Sequence, residues 1–182
     1  MSEDLTPLWD VPLAVADVPE TGRRVEIAAD EAVRQAIAKE AGVNDVKRLS
    51  ARFEVTPYGK DGLRVEGLVS ATVGQTCVVS LEPMESEIEE AVALEFLPPD
   101  AIAARAARAG DSDDESDEDG PDPLIDGVIN LGAIAAEFLI LGIDPYPRKP
   151  DAVLQPPRDD QPSANPFAAL AALKPPPDKD GS

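Results

Sequence analysis

The chain contains no histidine and a single cysteine, Cys77, in 182 residues. Without an imidazole there can be no Ser-His-Asp or Cys-His arrangement, and no side chain that ordinarily exchanges a proton near neutrality. One thiol can form no disulfide within the chain and no thiolate cluster for zinc, which fits a reducing cytoplasm. Bases are scarce as well: sixteen Lys and Arg stand against thirty-six Asp and Glu, a formal charge of -20. Such a field attracts cations and basic proteins and repels polyphosphate backbones. Gly59, Gly62, Gly67 and Gly74 make neither a dinucleotide fingerprint nor a phosphate loop. No apolar run approaches the length that spans a bilayer, and MSEDLTPLWD is acidic where a secretory signal is basic and then apolar. The expectation is a cytoplasmic protein, neither exported nor inserted in a membrane.

Carboxylates are left as the acid-base groups in number, and they crowd where the sequence has least order. Catalytic carboxylates must be held rigidly and partly desolvated. The reading is therefore a binding protein and not an enzyme, with no catalytic residue, no cofactor and no metal site expected.

What is present organises as one α+β domain over residues 1–147, interrupted by an acidic insertion at 100–123, and a proline-rich tail over 148–182. Val11, Leu13 and Val15 recur with a period of two and predict a strand, with Pro12 at an edge. Arg23 to Ala28 is a second strand. Asp30 then caps a helix over Glu31 to Ala41, with Gly42 as its stop and Val33, Ala36, Ile37 and Ala41 on its core face.

Residues 46–97 read as an antiparallel meander that could curl towards a barrel. Ala51, Phe53 and Val55 alternate with polar residues, a turn follows at Tyr58 to Gly62, and Leu63 and Val65 alternate again. Val69, Ala71 and Val73 continue the buried face. Gly74 is expected to be a bulge, after which Cys77, Val79 and Leu81 extend that face until Pro83 ends the strand. A Met-Glu-Ser turn precedes the last strand, with Ile88, Val92, Leu94 and Phe96 inward. Glu90 falls on the apolar face and is expected at an exposed end.

Residues 100–123 lose sheet character: AIAARAARAG predicts a frayed helical turn and DSDDESDEDG a disordered acidic loop. The loop resembles a calcium-binding sequence through Glu115, Asp117, Asp119 and Asp126, but Pro121 and Pro123 intrude and a solvated run is the preferred reading. A second main helix follows from Leu131 to Leu141, capped by Asn130, with Leu131, Ile134, Ala135, Phe138 and Leu141 on one face. The tail has too few large apolar residues to offset the entropy of folding. Its exception is residues 165–174, where Asn165 and Pro166 open a short helix bearing Phe167, Leu170 and Leu173. That helix could dock on its own domain, dock on a partner, or have no fixed structure.

VEGLVSATVGQTCVVSLEP, an acidic strand ending EFLPP, an acidic insertion, PLIDGVINLGAIAAEFLILGIDPYPRKPDA and NPFAALAALK follow one another in order. In this combination, over roughly residues 10–175, the chain resembles the YceD family and most closely its alphaproteobacterial branch. These are bacterial and plastid proteins linked to accumulation of the large-subunit ribosomal RNA. Many relatives carry Cys-x-x-Cys where this chain has Cys77-Val-Val-Ser80, and Asp where it has Asn130. Cys77 is therefore read as a buried strand thiol and Asn130 as a structural cap.

The resemblance implies a ribosome biogenesis factor that promotes 23S ribosomal RNA accumulation or processing and large-subunit assembly. The charge implies how: a basic ribosomal or RNA-processing protein held by the acidic surface and loop, at Asp113, Asp114, Glu115 and Asp117, with an apolar contact from Phe167, Leu170 and Leu173. Tyr146, Arg148 and Lys149 complete the candidate partner-binding set. The alternatives are direct binding of precursor ribosomal RNA through the basic clusters Arg23-Arg24, Lys47-Arg48-Arg52 and Arg148-Lys149, and an acidic protein that binds divalent cations.

Overall fold

A computed structural model of the chain describes residues 7–109 and 120–154. Its centre is a meander of three long antiparallel strands, β3 (Asp45–Tyr58), β4 (Gly62–Thr76) and β5 (Pro83–Leu97), extended on one side by β2 (Arg23–Ala28) and on the other by the two-residue parallel β6 (Asp122–Pro123). A separate two-stranded ribbon pairs β1 (Pro12–Ala14) with β7 (Val128–Asn130). The helices are α1 (Glu31–Ala41), α2 (Pro99–Ala109) and α3 (Leu131–Gly142). This is the expected α+β class. The sheet does not curl into a barrel, because β2 and β6 are its outer strands and do not pair.

Alternation along the strands separates the faces. Leu49, Ala51, Phe53 and Val55 of β3 and Leu63, Val65, Val69, Ala71 and Val73 of β4 are buried, against α1 on β3 and α3 on β4 and β5. Removing a side chain such as Phe53 or Leu63 from water contributes roughly 1.5–3 kcal/mol. The intervening residues form an open face of polar side chains. Helix α1 starts and stops where the sequence predicts. Asp30 accepts a hydrogen bond from Val33 N–H at 2.9 Å, and Gly42 closes the helix in the left-handed region.

Several local expectations are corrected. Strand β1 is three residues long and yields at Val15 to a 3-10 turn over Val15–Asp17. Gly74 makes no bulge; it sits in register between Asp45 and Glu85, and the irregularity lies in β3 between Val46 and Arg48. Strand β4 stops at Thr76, so Cys77 is buried in a turn rather than a strand, and Leu81 is 76% exposed. Pro83 begins β5 opposite Thr76, and the Met84-Glu-Ser segment is paired strand. Glu90 is not at an end: it pairs with Val69 in mid-strand and is half-buried.

The stretch after Pro98 is not a frayed turn but the eleven-residue helix α2. Ala-rich composition supports it, and Arg105 ties it to the sheet at Tyr58 and Glu95. In α3 the buried face includes Leu139 and excludes Leu141, which is 72% exposed. That helix is apolar nearly all round, so periodicity alone leaves its orientation open. The described residues through Ala152 belong to one compact unit. No described helix is long and apolar enough to cross a membrane.

Candidate functional site

Several hydrogen bonds join the β4–β5 turn, residues 77–82, and the adjoining strand ends to the strap that follows α3, residues 144–149. Gln75 Nε2 donates to the Asp144 carbonyl at 2.8 Å, and Gln75 Oε1 accepts from the Ser86 hydroxyl at 2.9 Å. Val78 N–H donates to the Pro147 carbonyl at 3.0 Å. Lys149 Nζ meets Glu82 at 2.8 Å, and this ammonium holds the Glu82 carboxyl below its ordinary range. The prolines at 145 and 147 prevent α3 from continuing and leave the strap extended enough to lie along the turn.

Cys77 is the knot of this junction. Its sulfur accepts N–H bonds from Ser80 and Lys149, each at 3.4 Å. The Ser80 side chain, with those amides and that of Val79, lowers the thiol to about 6. The side chain is completely buried, so a thiol biased towards thiolate is sealed from solvent reagents. Around it three apolar or aromatic side chains reach solvent among charged ones: Val78, Leu81 and Tyr146 are 42%, 76% and 69% exposed. Leu81 also holds φ at +58°, a conformation that leucine adopts at a cost of roughly 1–2 kcal/mol.

This surface gathers three of the residues the sequence singled out. Tyr146 and Arg148 are exposed on the strap, and Lys149 is half-buried and paired with Glu82. Sequence reading missed Val78, Leu81, Gln75 and Ser80; the polar pair at 75 and 80 flanking a cysteine next to a Leu-Glu-Pro turn was the available signal. Asp113, Asp114, Glu115, Asp117, Phe167, Leu170 and Leu173 lie outside the described residues.

The open face of the sheet determines what the basic clusters can do. Arg24 meets Glu54 at 3.7 Å, Arg48 meets Glu87 at 3.0 Å, and Lys47 pairs with Glu85. Arg64 pairs with Glu95 and lies 4.8 Å from the centre of the Tyr58 ring, while Arg105 reaches the same carboxylate at 3.9 Å. The Tyr58 hydroxyl and then Arg64 keep the Glu95 carboxyl below its usual range. Each predicted cluster thus has at least one cation already matched by a carboxylate. Beside Glu95, between β5, α3 and the start of β6, lies a cavity of about 830 Å³ lined by Leu94, Phe138, Arg64, Arg105 and Pro121 among others.

The profile of the family described as large ribosomal RNA subunit accumulation protein YceD matches residues 65–174. The chain belongs to the YceD family. The matched span starts within β4 and takes in β5, the β4–β5 turn, α3 and the strap, so the Cys77 junction of this YceD protein lies wholly inside the family region. Its membership carries the general role that the family name states, in large-subunit ribosomal RNA accumulation. No curated protein and no solved structure matches the chain.

Proposed function

We propose that this chain is a non-enzymatic, cytoplasmic assembly factor of the large ribosomal subunit. It promotes 23S ribosomal RNA accumulation by holding a basic ribosomal or processing protein. The observation that carries the reading is the state of the cations on the open face. Arg24, Lys47, Arg48, Arg64 and Arg105 face in-chain carboxylates, so a phosphate backbone would have to displace a partner already in place. The chain's large acid excess remains for a cationic protein. Family membership supports the pathway, and the exposed Val78, Leu81 and Tyr146 supply an apolar contact within the family region.

The test is a crosslinked pull-down of the full chain from bacterial lysate, read for protein and RNA with and without nuclease. A basic protein retained after digestion and released by raised salt is expected. Loss of every association on digestion would overturn the reading and leave direct RNA binding in its place.

A further inference from the structure

We infer that the outer edge of β5 accepts an added strand from an extended segment whose residues alternate basic and apolar. The inference rests on the proposed binding of a basic protein and names the mode of contact. Strand β6 covers β5 at Phe96 and Leu97 alone. From Met84 to Glu95 no described residue makes a backbone hydrogen bond to the side of β5 away from β4. A long open edge is a template for pairing, which proteins ordinarily block, bend or cover.

The two faces of β5 define the guest. Glu85, Glu87, Glu89 and Glu95 project on the open face, and β5 contains no basic residue. Glu85, Glu87 and Glu95 already face Lys47, Arg48 and Arg64, and Glu89 meets no cation among the described residues. Side chains of a neighbouring strand lie about 4.5–5.5 Å away, where Lys or Arg would meet Glu89 directly and share the exposed, paired carboxylates beside it. On the other face stand Ile88, Glu90, Val92 and Leu94, and near the start of β6 a cavity is lined by Leu94 and Phe138 together with the charged Arg64, Glu66, Glu95 and Arg105. Apolar guest side chains at the intervening positions would pack along Leu94 and Phe138. Main-chain bonds then supply affinity and the alternation supplies selectivity.

The experiment titrates the full chain with a synthetic peptide alternating lysine and valine, and with the same peptide N-methylated at alternate backbone nitrogens. The unmodified peptide is expected to slow exchange of the outward β5 amides between 84 and 94 by at least about tenfold. N-methylation, which keeps the charge and removes donors, and the double variant Glu89→Lys with Ala91→Lys, which reverses one exposed charge and adds a positive one beside it, should each weaken binding about tenfold or more. Equal binding of the N-methylated peptide, protection elsewhere, or no binding at low salt overturns the assignment and leaves the glutamates as guards against aggregation. If a lysate protein survives nuclease but is indifferent to the double variant, the edge assignment fails and the partner reading stands. If no protein is retained, the partner reading fails whatever the peptide does.

Discussion

Glu90, in the middle of β5, lies against Gly142, the last residue of α3. A Cβ at position 142 would stand 2.6 Å from a Glu90 carboxylate oxygen and 2.8 Å from a methyl of Ile88. The missing side chain is what allows a glutamate on the apolar face of the sheet. Gly142→Ala should destabilise the protein by about 1–3 kcal/mol through overpacking, outweighing the gain in helix propensity of roughly 0.5–1 kcal/mol. Adding Glu90→Ala should recover part of the loss, read as a shift of the urea midpoint.

Asn130 is matched to Asp10. Its side-chain oxygen accepts from Ala133 N–H at 3.1 Å and Val11 N–H at 3.0 Å, while its amide nitrogen donates to the Asp10 carboxylate at 2.7 Å. An aspartate at this position would still cap α3 but would face a second carboxylate. Asn130→Asp should cost about 1–3 kcal/mol near neutral pH. Protonation at acid pH should reduce that cost, and so should the companion change Asp10→Asn; urea titrations at pH 4 and 7 read both effects.

Leu81 combines a positive φ with high exposure, so its side chain contributes little to the fold. Leu81→Gly should leave stability within about 1 kcal/mol, on the stabilising side, since relief of the left-handed strain opposes the added entropy of glycine. Retention of the protein partner in the pull-down should fall. A variant both stable and fully competent in binding would remove Leu81 from the contact surface.

The Cys77 thiol gives a signed pH dependence. Its folded value, about 6, lies below the ordinary 9.0, so between these values the unfolded chain binds the extra proton. Stability from the thiolate is absent below about pH 6, grows as pH rises, and is complete above about 9. The stability difference between the native chain and Cys77→Ser should widen over that interval in denaturant titrations. A constant difference would contradict the thiolate assignment. Alkylation in native buffer should be slow despite the low value, because the sulfur is buried.

The sequence was most legible where local chemistry and long-range packing agree. Asp30 and Gly42 bound α1 because a cap and a left-handed stop act within one turn. The alternation of Phe53 and Val55, and of Leu63 and Val65, reports the pleat directly. It was least legible where a distant residue decides. Gly74 resembles a bulge until Asp45 stands across from it, and Leu81 continues an apolar alternation in a segment that bonds of Leu81 N–H to the Cys77 carbonyl and of Cys77 N–H to the Glu82 carbonyl fold into a turn, which Lys149 and Pro147 then hold from afar. The same holds for the candidate site. Tyr146, Arg148 and Lys149 were found from the sequence, but their junction with Cys77 depends on contacts some seventy positions apart.

That separation gives the strap a role in time. A ribosome delivers Cys77 and Ser80 well before Lys149, so the nascent chain holds the sulfur with one of its two amide donors until α3 and the strap have emerged. Arrival of the strap supplies the second amide donor at Lys149 and, at Pro147, the acceptor for Val78, so the turn is completed late, with the proline-rich tail still to be made.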